Sequence, residues 1–415
     1  MAFAGGGLTA HATRRAEEWT WIAAAVATIL ILRPGPTAAV AALLAAIALA
    51  FLNPRLPIER QSTAVLMAVL SWPIFFLLRT NVLNQDGNML TPKIERDVPL
   101  VGAHLSHDEL LELFVHSRFW HYAHSWWGWS VVFSYAVLSC VAGSLFVYGL
   151  MRLAPRLAPE RTWLFLLGAL SGAYMQLFFG DVENYTITAA IVVLYVLAAC
   201  RFLTRESPLW VPALVLAVAV VFHLEAGWLL PSAAYLAMVS RLRAGSLREA
   251  MRSGACAAAV IATVFVLFHF NGLPLFRFFS SHAGHALRLS GVFAFGMPAR
   301  YYRDQLELLV LLCPFIGLLI PLTVWRPKPL DEVTAFLIVG AVSMLLMQVI
   351  WKAQLGVFDD WNLYAIGGLI TALAIWRYVA VAASTMIMRV AGAGIALIGS
   401  LHTYAWIIAN HQSGR

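Results

Sequence analysis

A chain of 415 residues that is 61% hydrophobic and only 12% charged, with a mean hydropathy of +0.78, carries too little charge for a soluble domain and reads as an integral membrane protein. Its formal net charge of +7 does not point to nucleic acid, because the basic residues sit in short loops between apolar runs, where they set topology. The four cysteines (Cys140, Cys200, Cys256 and Cys313) lie far apart inside apolar runs with no CxxC pair, which excludes a disulfide framework and a cysteine metal centre.

Taken in order, the chain first places Arg14 and Arg15 before an apolar stretch, as a signal peptide would. A second run, AVAALLAAIALAFL, follows almost at once with no clean cleavage site, so a retained first span is expected. Windows of about 20 apolar residues predict about thirteen spans. They fall at 19–33, 37–53, 62–79, 126–151, 162–180, 184–203, 208–223, 225–240, 250–270, 304–325, 332–351, 362–381 and 386–409. With the N-terminus in the cytoplasm, most basic loops fall inside. The unusual polar segments then all fall outside, at 80–125, 180–185, 223–225, 271–303 and 352–362.

The first of these is the longest polar stretch, and it carries Asp86 in Asn84-Gln85-Asp86-Gly87-Asn88, just past the end of a span. A carboxylate there, partly shielded from water, has the basicity a general base needs; an Asp-Gly pair equally makes a tight turn. Farther on, SHDELLELFVHSRFWHYAH reads as an amphipathic interfacial helix over 106–124, opened by a Ser106–Glu109 capping box. His121 and His124 share one face of it but have no ligand set at zinc spacing, so they read as anchors.

Asp181 and Glu183 interrupt two spans that otherwise meet, and carboxylates at a membrane edge are kept for a partner or a task. Their spacing lets both converge on one divalent cation, Mg or Mn; a plain polar hairpin is the alternative. His223 and Glu225 form the shortest polar break. Asp359-Asp360 precedes Trp361 as an N-cap would. The 271–303 segment carries Arg277, Arg288, Arg300 and Arg303 without an acid, which suits a lipid phosphate or anionic headgroups in general.

With FFGDVENYTITAAIVVLYVLAA, FHLEAGWLLPSAAYL and FDDWNLYAIGGL in these positions, the chain resembles the GT-C superfamily of polytopic glycosyltransferases. Oligosaccharyltransferase catalytic subunits, protein O-mannosyltransferases and bacterial aminoarabinose transferases belong to it. The resemblance covers 62–381. It implies an all-α polytopic membrane protein whose long first outer loop is catalytic and carries an interfacial helix. The implied division is 1–61 as an N-terminal cytoplasmic segment with two extra spans, 62–381 as the core, and 382–415 as a last span with a short tail. Two spans precede the family core, and Asp86 is followed by glycine where many members show a paired acid.

The implied reaction moves a sugar from a polyprenyl phosphate to a hydroxyl of a glycan, lipid or protein acceptor at the extracytoplasmic face of a bacterial inner membrane. Asp86 would be the base. Asp181, Glu183, His223 and Glu225 would meet the acceptor or a cation, and Arg288, Arg300, Arg303 and Lys352 the donor phosphate. No Rossmann-type glycine motif is present, so a nucleotide-sugar donor is not expected. The rivals are a transporter or flippase of lipid-linked sugars, in which the acids carry protons or cargo, and a surface-glycan polymerase or ligase.

Overall fold

The computed structural model describes residues 5–52, 60–83, 85–96, 109–245, 247–270, 293–319, 331–353 and 355–413, and only the backbone of 5–12, 85, 86 and 96. Helix follows helix throughout. An N-terminal pair, α1 (Gly5–Leu32) and α2 (Pro36–Leu52), leads into α3 (Gln61–Leu77). Two helices that do not cross follow, α4 (Gln85–Arg96) and α5 (Leu110–Trp127). Then come α6 (Val131–Leu157), α7 (Thr162–Ala169), α8 (Thr186–Leu203), α9 (Trp210–Phe222), α10 (Leu230–Ala244) and α11 (Arg248–Phe270). The chain closes with α12 (Ala299–Leu312), α13 (Glu332–Ile350), α14 (Ala365–Ala382) and α15 (Met386–Gln412).

Every expected span overlaps a helix, and among the described residues six helices are long and apolar enough to cross a bilayer alone. The spans expected at 162–180 and 304–325 are instead broken, each continued by a 3-10 turn, Ala173–Phe178 and Ile316–Leu318. Glycine permits the tightest approach of the core: a Cβ on Gly168 would lie 1.9 Å from the indole of Trp376, so α7 presses directly on α14. The extra pair α1 and α2 packs on α15, so these three helices form one layer.

The helix ends divide into two groups. At one end Arg377 of α14 reaches Asp331 and the carbonyl of Leu157, Arg243 reaches Glu332, and Arg156 reaches Glu206. At the other, the N–H of Thr80 donates to the carbonyl of Phe179 (2.7 Å), and the N–H of Asn81 donates to that of Asn410 (3.3 Å). The polar breaks singled out in the sequence that are described all lie at this second end.

The helix in the long polar segment differs from expectation. It begins at Leu110 with Glu109 flanking it, so Glu109 is not the third residue of a capping box; Ser106 lies outside the described residues. It ends where Gly128 turns left-handed (φ 68°) and its N–H bonds the carbonyl of His124 (2.9 Å). Trp126 and Trp127 stand exposed there, as an interfacial anchor requires. The opposite face is buried and is not apolar, because it contains Glu112, His116 and Ser117.

Candidate functional site: an acidic cluster at one end of the bundle

The loop between α7 and α8 is the pivot. Gly180 adopts φ +73°, and its missing side chain lets the backbone pass Arg79, whose Cβ would lie 2.7 Å from an added Cβ. The turn delivers Asp181, Glu183 and Asn184 into the protein, where all three are buried. The Asn362 amide donates to Glu183 Oε2, joining this loop to the one before α14. The Asn184 amide donates to Glu109 Oε2 (2.9 Å), and its carbonyl oxygen accepts from the hydroxyl of Tyr135 (2.9 Å). Amide groups thus hold two carboxylates.

Glu112 goes further. Its carboxylate accepts from the N–H groups of Ile187 (2.7 Å) and Thr188 (3.0 Å) and from the hydroxyls of Thr186 (3.2 Å) and Thr188 (2.7 Å). These are the orphan donors of the first turn of α8, so a residue of α5 caps α8 in place of a local N-cap. Tyr185, at the cap position itself, makes no side-chain cap bond. Burial opposes ionisation of Glu112, yet the nearby His116, with the bonds from Thr188 and Ile187, outweighs it and holds the carboxyl below its ordinary range. His116 is fully buried, stacks on Tyr135 at 3.8 Å, and brings Nε2 to 3.9 Å from Glu112. Glu109, Glu112 and Glu183 all lie close enough to Tyr135 to act on it electrostatically.

His223 and Glu225 sit in the 3-10 turn region Leu224–Leu229, both buried. His223 Nδ1 accepts from the N–H of Glu225 (3.1 Å), so Nε2 is the ring nitrogen left to donate. The ring lies 4.4 Å from that of Tyr185, which ties this turn to the acidic loop. Neither carboxylate oxygen of Glu225 has a hydrogen-bond partner among the described residues. Asp360 does not cap with its side chain as expected; Oδ2 accepts instead from the N–H of Leu355 (3.0 Å) and shapes the loop that presents Asn362.

Two expectations fall outside what is described: the side chain of Asp86, of which only the backbone in α4 is given, and Arg288. The helix bearing Asp86 does pack beside the acidic loop, since Leu90 and Ile94 share an apolar cluster with Val182, Leu113 and Tyr135. Arg300 and Arg303 are exposed on α12, and acids of their own helix already engage them, Asp304 at 3.8 and 3.5 Å and Glu307 at 3.5 Å. Those acids stand within one turn in the sequence, which is the signal for such pairing. Lys352 lies in the loop anchored by the bond from the N–H of Ala353 to the hydroxyl of Tyr301 (2.9 Å).

As donors for a divalent cation, Asp181 and Glu183 are incomplete alone. Among the described residues no group of three His, Cys, Asp or Glu side chains is placed to hold a metal. Two carboxylates still suit a cation that takes its remaining ligands from water and a substrate phosphate.

The architecture matches the crystal structure of ArnT from Cupriavidus metallidurans bound to undecaprenyl phosphate, with a TM-score of 0.54 at 12% identity over 84% of this chain and 77% of that one. The chain shares the helical fold of that structure. No family model and no curated protein sequence matches it. Within this fold the acidic cluster occupies the loop end, and Glu109, Glu112, His116, Tyr135 and Asn362 belong to it although the sequence does not single them out as site residues. Only the charged positions inside the apolar face of 110–119 hinted at two of them.

Proposed function

We propose that the chain is a membrane glycosyltransferase that moves a sugar from a polyprenyl phosphate to an acceptor hydroxyl at the extracytoplasmic face of a bacterial inner membrane. The observation that supports it most is the gathering of Asp181, Glu183, Glu109 and Glu112 at one end of a GT-C-like fold, with amide, hydroxyl and backbone donors around them. The transition state of sugar transfer carries positive charge on the ring, and a cluster of ionised acids in a water-poor site stabilises such charge. The similar transferase fold was solved with undecaprenyl phosphate, and a donor of that kind needs a site at the lipid boundary rather than a nucleotide fold.

In the reaction the acceptor oxygen bonds to the anomeric carbon, Asp86 takes the hydroxyl proton, and the bond from that carbon to the lipid phosphate oxygen breaks. His223 and Glu225 fit an acceptor-binding role, because a buried acid without a donor is ready for a substrate hydroxyl. Arg288 and Lys352 are the cations proposed for the donor phosphate from the outer loops. A Mg or Mn ion shared between Asp181, Glu183 and phosphate would supply further charge neutralisation.

Purified protein in lipid nanodiscs, given undecaprenyl-phosphate sugars and a panel of acceptors, tests this by release of undecaprenyl phosphate. Asp86→Asn is expected to lower turnover about 100-fold or more while leaving the fold intact. Full activity in that variant would remove Asp86 as base. Vectorial movement of the lipid-linked sugar without turnover would replace the transferase with a transporter. Activity that survives a chelator would dismiss the cation alone.

A further inference from the structure

The N-terminal pair does not seal against α15. Ile22 to Ile29 of α1, Ala39 to Leu43 of α2 and Met386 to Ile398 of α15 border a groove of about 460 Å³. Its walls are aliphatic, without a ring or a charged side chain. Small residues make the hollow: a Cβ added at Gly394 would meet only Ala46, at 3.9 Å, and Ala25, Ala39 and Ala391 stand in the same walls. Val26, Val40, Leu43 and Ile387 are exposed, so the groove opens sideways into the apolar layer. Met386 and Ile398 stand twelve positions apart, about 18 Å along a helix. Over that length the volume gives a channel about 5–6 Å across, too narrow for another helix of about 10 Å. It suits one unbranched hydrocarbon chain, whose carbons pack at about 4 Å from their neighbours.

A charge stands where two of these walls begin. α1 and α2 are joined through Arg33, one turn past Ile29 and shortly before Ala39. Arg33 is exposed, its N–H bonds the carbonyl of Ile29 (2.8 Å), and its backbone is left-handed (φ 47°), a conformation that glycine adopts at least cost. Among the described residues no carboxylate lies within ion-pair distance of it, whereas Arg14 on the same helix faces Glu18 (4.0 Å). A guanidinium at a membrane surface pairs with phosphate and favours anionic over zwitterionic lipid. The charge and the channel therefore complement the two parts of one molecule, an anionic head and a saturated tail.

We infer that the groove of α1, α2 and α15 binds an anionic phospholipid: Arg33 meets its phosphate, one acyl chain fills the groove, and the other stays in the bilayer. The site is independent of the transferase reading and lies on the pair of helices that precedes the core.

Native mass spectrometry of the full chain, stripped of lipid in detergent and titrated with phosphatidylglycerol or phosphatidylcholine, tests it. Wild type is expected to bind one phosphatidylglycerol about fivefold more tightly than phosphatidylcholine, and Arg33→Gln to bind the two alike. Gly394→Phe, which fills the channel, is expected to weaken phosphatidylglycerol about tenfold or more. Undiminished phosphatidylglycerol binding in either variant overturns the assignment, and so does a wild type that does not tell the two lipids apart. A wild-type dimer that Gly394→Phe turns into a monomer would make a second copy the occupant and also overturn it. If Gly394→Phe does not fold, phosphatidylglycerol with a photoreactive acyl chain on wild-type protein decides. Labelling of Ile29, Leu43 or Met386 supports the site; labelling confined to other helices, or displaced by an equal amount of undecaprenyl phosphate, overturns it.

Discussion

The two ends of this bundle solve the same problem in opposite ways. At the end bearing Arg156, Arg243 and Arg377, a guanidinium answers each of Glu206, Glu332 and Asp331, and Arg377 is itself buried. At the end bearing Glu109, Glu112 and Glu183, the acids accept from amides, hydroxyls and the N-terminus of α8, with the ring of His116 3.9 Å from Glu112. A guanidinium cancels the charge it holds, and the pair then serves only to fasten helices. A dipolar donor fixes the carboxylate and leaves its field in place. In the proposed reading the second end acts on a charged species and the first holds the helices together.

The comparison breaks most visibly at Glu112. Glu112→Ala strands the four donors of Thr186, Ile187 and Thr188 in a dry site and removes the charge opposite the first turn of α8, an expected loss of about 3 kcal/mol or more. A thermal melt in detergent checks it. The same residue sets an acid limit. Its folded pKa lies below the ordinary value of 4.5, so its stabilisation is present above 4.5 and is lost as pH falls through the lower folded value. Wild-type melting temperature should therefore fall over that acid interval, and Glu112→Gln should lack that part of the slope. A variant as stable as wild type would mean that α8 is capped by something else.

Arg377→Gln probes the fastening end. It leaves the carbonyl of Leu157 without its donor and frees Asp331, which is half-exposed and can be hydrated, so the expected cost is smaller, about 2 kcal/mol. Turnover at limiting donor should be unchanged in the molecules that remain folded. A change in kcat/KM there would show that the two ends communicate and would blunt the contrast between them.

Much of this architecture is legible in the sequence, because a bilayer forces about 20 apolar residues into each crossing and pushes charges to the breaks. Asp181, Glu183, His223 and Asn362 stand in such breaks, and the helices bring them together through Glu183–Asn362 and Tyr185–His223. Glu112 and His116 are different. They lie within a helix whose pattern reads as amphipathic, and periodicity does not say which stripe meets water. Only the position of Thr186–Thr188, some 75 residues away, turns that stripe inward.

Asn362 tests the acting end more gently. Asn362→Ala removes the amide from Glu183 at an expected cost of about 1–2 kcal/mol. Asn362→Asp should do more to activity than to folding, because two carboxylates at that distance cannot both ionise. Its turnover should fall and acquire a dependence on pH near neutrality that wild type lacks, read from a pH profile of kcat/KM.

The smallest effect is expected at Arg303, and it carries a separate point. Its side chain is 66% exposed and paired with Asp304 and Glu307 on its own helix, so Arg303→Gln should cost about 0–1 kcal/mol. Undecaprenyl phosphate binding should stay within about twofold of wild type, because a phosphate would have to displace two acids already in place. If Arg303→Gln instead lowered donor affinity about tenfold, the acids on α12 would have to swing away from Arg303 in the loaded state, and exposure with ion pairing would no longer separate fastening arginines from binding ones.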